Sequence, residues 1–184
     1  ARIRLAKHIP IRAGLGGGSA DCAATLIALN RLWELRLPVD KLLEIGRTLG
    51  ADVPYCIAGG FARVRGMGEK IGALGTGERF PLVIVHVGRG LSTAQVFGQY
   101  DRMGHSLHLD NAALAKAILA RDFEEMQRLS GNALEAPSIS LMPAIGAAME
   151  SLRAQGARVV RMSGSGSAVF GGSRTAAEAL SAAD

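Results

Sequence analysis

The sequence predicts an α+β fold, and three observations carry that expectation. Apolar residues recur at helical spacing over stretches of about ten residues, as at 39–49 and 111–120. Shorter apolar or alternating runs bounded by glycine or proline, such as 61–65, 81–87 and 158–162, have the length of strands. The two kinds of segment do not alternate strictly, which argues against a doubly wound parallel sheet.

The elements follow in order. Ile3, Leu5 and Ile9 alternate as in a strand that Pro10 ends. A glycine run follows, and Ser19 is placed to N-cap a helix reaching Trp33, with Asp21 in its first turn. That helix is apolar around most of its circumference, which predicts that it is largely buried. Pro38 opens a second helix over 39–49, closed by Gly50. Asp52 heads a short helical turn through 53–58, stopped by Gly59-Gly60. Strands are expected at 61–65 and 70–74 around the turn Gly66-Met67-Gly68-Glu69, then at 81–87. Ser92-Thr93 can cap a helix to Tyr100, and residues 101–110 read as loop. Helices at 111–120, 123–132 and 140–155, a strand at 158–162, a return strand at 168–170 and a helix from about Thr175 complete the chain. The polar joint 75–79 marks a domain boundary, giving units 1–77 and 78–184.

Composition narrows the function classes. The 184 residues are 48% hydrophobic and 20% charged, enough to bury a core in one large or two small domains. Aromatic residues make up only 4%, too few for the stacking platforms of a nucleic-acid protein, so no nucleic-acid partner is expected. No run of about 18 apolar residues exists, so no membrane partner is expected either. The two cysteines, Cys22 and Cys56, lack C-x-x-C spacing, which argues against a zinc site or disulfide framework and for a reduced, cytoplasmic setting. Net charge is +5, and Arg2, Arg4, Lys7 and Arg12 all precede the first acid, Asp21. That cluster is either a solvated strand face or a positive field beside an anion site. The chain opens as though on a strand already in progress, which suggests further residues before Ala1.

The stretch that carries chemistry is Pro10 to Asp21, P-I-R-A-G-L-G-G-G-S-A-D. Four glycines in five positions lead directly into a helix. Glycine can adopt positive φ and lets another group approach its backbone closely. A helix start also presents unpaired N–H groups at the positive end of the helix dipole, which together favour a phosphate. A plain turn would need only one or two glycines. Two well-known phosphate fingerprints fail. The chain contains no Gly-Lys pair for a P-loop, and Ser19 stands where the dinucleotide fingerprint needs glycine or alanine.

The run Pro10-x-x-Ala-Gly-Leu-Gly-Gly-Gly-Ser-Ala-Asp21 instead resembles the ATP loop of the GHMP small-molecule kinases. Further blocks agree in order: Leu49-Gly50-Ala51-Asp52-Val53-Pro54, Gly66-Met67-Gly68-Glu69, Ser92-Thr93-Ala94-x-Val96-Phe97, and Met162 to Phe170 with Ser163-Gly164-Ser165-Gly166-Ser167 at its centre. The triple glycine followed by S-A-D is similar to the branch that acts on a cytidine-diphosphate-linked methylerythritol in non-mevalonate isoprenoid precursor synthesis. Mevalonate- and homoserine-type kinases of the family, or a non-catalytic nucleotide-binding module, stand as alternatives.

The resemblance implies a GHMP-kinase-like two-domain fold, with an N-terminal ATP-binding domain shortened at its start and a C-terminal α/β sandwich of ferredoxin-like type. It implies ATP with Mg²⁺ as cofactor and a small-molecule substrate whose 2-hydroxyl is phosphorylated. ATP would be held by Pro10, Ile11, Arg12, Ala13, Gly14, Leu15, Gly16, Gly17, Gly18, Ser19 and Ala20. Asp52 would be the catalytic base, although the residues alone favour an N-cap. Thr93, Gly164 and Gly166 would contact substrate; the residues alone allow a cap at Thr93 and a plain hairpin turn at the two glycines. No protein metal cluster is implied. Ala6-Lys7-His8 is not the family's A-K-x-N motif, so its catalytic lysine would lie before Ala1, and the 184-residue chain alone would have little or no kinase activity. Val87 and Ser92 stand where the family commonly has prolines.

Overall fold

The computed structural model describes residues 1–75, 79–88, 90–104 and 106–181. They form two compact units, one of residues 16–77 and one of residues 1–15 with 78–184.

The smaller unit packs three helices, α1 (Gly17–Leu32), α2 (Val39–Leu49) and α3 (Val53–Ala58), beside a two-stranded antiparallel hairpin, β1 (Phe61–Arg65) and β2 (Lys70–Gly75). Helix α1 rests on α2 and α3. Its largely apolar circumference predicts burial, yet only Ala23 is fully buried, and Leu32 and Trp33 are 66% and 53% exposed. The two neighbouring helices cover one face of α1 and leave the rest of its apolar surface exposed. In α2, Leu42 and Gly46 are buried. A Cβ at Gly46 would come within about van der Waals overlap of Ile57 and Val53 (3.0 and 3.1 Å), so glycine there lets α2 and α3 approach closely. Gly50 ends α2 in an extended conformation (φ 173°), not as the left-handed cap its position suggests.

The larger unit is built on an antiparallel sheet of order β3-β5-β4: β3 (Leu82–His86), β4 (Val159–Met162) and β5 (Ala168–Gly172). Central β5 pairs Phe170 with Ile84 on one side and with Arg161 on the other. Alternation along β3 turns Val83 and Val85 to the core and leaves Leu82 and Ile84 half exposed. The core joins Val160, Met162 and Val169 of the sheet to Ile145, Met149 and Leu152 of α8 (Ala144–Ala154), spaced as one helix face. Helices α4 (Thr93–Met103), α5 (Asn111–Leu119), α6 (Phe123–Leu129), α7 (Glu135–Leu141) and α9 (Ala176–Ser181) complete it. Asp110 caps α5 through Ala112 and Ala113, and Asp122 caps α6 through Glu125.

Three sequence expectations are corrected. Residues 3–9 form no strand and are exposed, because no described strand pairs with them and an isolated strand leaves its backbone groups unsatisfied. The single helix expected at 140–155 is two helices. Pro143 lacks an N–H and holds Met142 extended (φ −145°, ψ 85°), so α7 ends there and α8 starts beyond it. Helix α1 begins at Gly17, so Ser19 lies inside the first turn instead of capping it, and Asp21 lies beyond that turn. The expected joint at 75–79 falls partly outside the described residues.

Candidate active site

In the smaller unit, Gly16 is the N-cap of α1 with left-handed geometry (φ 65°, ψ 12°) that glycine adopts without penalty. No side chain caps this end. The first backbone bond runs from the Ala20 N–H to the Gly16 carbonyl (2.9 Å), so the N–H groups of Gly17, Gly18 and Ser19 have no acceptor within the helix. A Cβ added at Gly16 or Gly18 would meet nothing within 4 Å. Protein packing therefore gives no reason for glycine at Gly18, and open space over three donors at the positive end of a 16-residue helix does. This arrangement fits the phosphates of ATP.

Asp52 stands at the N-cap position of α3 in helical geometry (φ −90°, ψ −10°), and its side chain makes no cap hydrogen bond. The capping role that the residue pattern favours is not realised, and the exposed carboxylate is left for other work. It lies close to Cys56, whose thiol pKa is raised, first by burial, then by the charge of Asp52, then by Cys22 in the second turn of α1. Helices α1 and α3 thus pack together with Cys22 and Asp52 both near Cys56.

The β1–β2 turn supports this carboxylate from behind. Gly68 is buried at φ 96°, and a Cβ there would overlap the carbonyl oxygen of Ala51, the residue before Asp52. Glu69 closes the turn by accepting the Met67 N–H (2.6 Å). Its own backbone N–H and that of Met67 hold its carboxyl below the usual carboxylate range. The sequence singles out this turn but does not show that Gly68 packs on the backbone at Asp52.

In the larger unit, Pro10, Ile11 and Arg12 are exposed and Ala13 is buried. Gly14 (φ 76°) has a different need for glycine from Gly18. A Cβ on it would overlap the carbonyl oxygen of Ser163, and one on Gly164 would lie 3.0 Å from the Gly14 oxygen. Ser163 Oγ donates to the Gly14 carbonyl (2.8 Å), and the Ala168 N–H donates to the Ala13 carbonyl (2.9 Å). The second glycine turn is therefore bonded directly to the start of the first glycine run. Gly164 is exposed, while Gly166 is buried, its missing Cβ facing Met162 Sδ (2.9 Å) and Ile145 (3.4 Å). Thr93 does not cap α4, whose N-cap position is Ser92; its hydroxyl is hydrogen-bonded to the Ser165 hydroxyl (3.0 Å). Sequence reasoning misses Asn132, Glu135 and Ser138, which bond to this turn. Glu135 and Ser138 lie three residues apart on one face of α7, and Asn132 lies three residues before that helix.

Among the described residues no helix is long and apolar enough to cross a membrane. The model of the GHMP kinases N terminal domain matches residues 1–60, and that of the GHMP kinases C terminal matches residues 114–184. The 4-diphosphocytidyl-2-C-methyl-D-erythritol kinase of Enterococcus faecalis is 43% identical over 171 residues, covering 92% of this chain and 59% of that protein. Its counterpart from Bacillus pumilus is 40% identical over 169 residues, covering 92% and 58%. The chain thus spans less than two thirds of the length of these curated relatives. A crystal structure of 4-(cytidine 5'-diphospho)-2C-methyl-D-erythritol kinase superposes with a TM-score of 0.80 at 36% identity, over 96% of this chain and 63% of that one. Homoserine kinase from Cytophaga hutchinsonii, 22% identical with a TM-score of 0.76, shares the fold, covering 96% and 61%. Two GHMP kinase family models, matching residues 1–60 and 114–184, together cover more than half of the chain, which belongs to the GHMP kinase family.

Proposed function

We propose that this protein transfers the γ-phosphoryl group of ATP to the 2-hydroxyl of 4-diphosphocytidyl-2-C-methyl-D-erythritol, a step of non-mevalonate isoprenoid precursor synthesis. The observation that carries the reading is a pair of uncapped groups at two helix starts of the smaller unit: the N–H donors of Gly17, Gly18 and Ser19, and the carboxylate of Asp52. The choice of alcohol rests on the names of the relatives at 40% and 43% identity.

Phosphoryl transfer asks for positioning and for stabilisation of spreading negative charge more than for covalent chemistry. The α1 start supplies both, since its donors are fixed before the nucleotide arrives. Asp52 orients the substrate hydroxyl and accepts its proton as the oxygen–γ-phosphorus bond forms and the bond to the β-phosphate oxygen breaks, releasing ADP. Mg²⁺ would be held mainly by the phosphates and would neutralise their charge. Among the described residues no group of three or more histidines, cysteines or acids could hold a metal by itself. Thr93 and exposed Gly164 face the substrate in this reading, and Gly166 shapes their turn from the core side. We place it in the cytoplasm, where the free Cys22 and Cys56 would stay reduced.

The test is ADP release by the protein expressed from its complete reading frame and by its Asp52→Asn variant. Turnover should fall by about 10²- to 10⁴-fold, the usual contribution of a general base, while ATP affinity is retained. A variant that turns over like the wild type removes Asp52 from the mechanism.

A further inference from the structure

Residues 132–138 grip the second glycine turn through side chains alone. Asn132 Nδ2 donates to the carbonyls of Met162 (3.0 Å) and Gly164 (2.7 Å). Glu135 Oε1 accepts the Met162 N–H (2.9 Å), and Ser138 Oγ donates to the Ser165 carbonyl (3.1 Å). Four bonds thus reach four backbone groups between 162 and 165, which is the kind of over-determination that holds a loop in one geometry. The amide of Asn132 is itself oriented, because its Oδ1 accepts the Leu134 N–H (2.9 Å). Ser138 is fully buried. The opposite edge of the turn carries Gly14 through the Ser163 hydroxyl and through a backbone approach that excludes a Cβ.

We propose that Asn132, with Glu135 and Ser138, is a positioning device for the nucleotide loop. None of the three belongs to that loop. They fix 162–165, and 162–165 fixes Gly14 within the first glycine run. This rests on the reading of residues 10–20 as the ATP loop.

Asn132→Asp separates positioning from simple support. It keeps the side-chain shape and the acceptor for Leu134, and it removes both donors to the turn. In the protein expressed from its complete reading frame, a fluorescent ATP analogue with Mg²⁺ reports Kd, and thermal unfolding reports Tm. We expect Asn132→Asp to raise Kd by about tenfold, since small misplacements of a binding group cost this much or more. Ser138→Ala removes one bond of the four and should raise Kd by about threefold; it serves as the test if Asn132→Asp does not fold. Phe123→Leu is the control. Phe123 is buried against Phe80, on a different part of the unit, so its variant should lower Tm and leave Kd unchanged. Wild-type affinity in Asn132→Asp or, should that not fold, in Ser138→Ala would overturn the inference. So would a Kd that rises in Phe123→Leu in step with its loss of Tm. A wild-type protein that does not bind the analogue would overturn the ATP-loop reading, and the inference with it.

Discussion

Gly14 and Gly18 stand four residues apart in one glycine run, and their surroundings differ. Gly14 is packed against the Ser163 backbone at positive φ, and Gly18 sits in a helical turn with nothing within 4 Å of a Cβ. Gly14→Ala should therefore cost stability, about 2 kcal/mol or more from backbone overlap and a left-handed alanine. Gly18→Ala should leave the melting temperature unchanged or raise it slightly, since alanine is the better helix former. On the proposed ATP-loop reading it should nonetheless weaken ATP binding by about tenfold, the new methyl standing where the phosphates would approach. Denaturant unfolding and ATP titration of both variants check the split; equal behaviour would contradict it. Sequence spacing finds the loop but cannot separate these glycines, because the partner of Gly14 lies about 150 residues away. Asp52 is legible in the sequence as the head of a helix, and only the structure shows that its side chain makes no cap bond. Glu69 adds a pH-dependent contact. Its folded pKa lies below its ordinary value of 4.5, so its stabilisation of the turn is complete above that value and is lost as pH falls through the folded pKa. The NMR shift of the Met67 amide should titrate with a midpoint below 4.5; a midpoint at or above it would contradict the hydrogen bond.

Elements with a clear period and strong punctuation were readable. Helix α2, the 53–58 turn and the 61–65 strand have the bounds their residues predict, because proline and glycine mark their ends. The first turn of α1 was hidden, since glycine at 17 and 18 argues locally against helix and the rest of the helix extends through them. The strand expected at 3–9 shows the opposite limit. Alternation describes a strand's faces, but a strand also needs a neighbour for its backbone. The β1–β2 hairpin bears on the site through Gly68, whose contact with Ala51 sets the backbone just before Asp52. Gly68→Ala should destabilise the smaller unit by about 2 kcal/mol or more, through the overlap and the positive φ. It should also lower turnover more than it lowers ATP affinity, since the displaced group is Asp52. Equal losses in the two would indicate general loosening of the unit instead.

At the scale of the whole molecule, the fold class and the family were legible from short segments, because the motif blocks that carry the resemblance are local in the sequence. What was not legible is what holds the second glycine turn of the larger unit. Asn132, Glu135 and Ser138 act on backbone groups, and a backbone carbonyl leaves no mark in the sequence. The central claim is ATP-dependent phosphorylation of one particular alcohol, and ADP release by the protein from its complete reading frame tests it most directly. With Mg²⁺ and ATP present, ADP should form on addition of 4-diphosphocytidyl-2-C-methyl-D-erythritol, not with mevalonate or homoserine, and should be lost in Asp52→Asn. ADP formation with one of the other alcohols but not with the cytidine-linked one would contradict the proposed substrate, and no ADP formation with any of them would contradict the proposed activity.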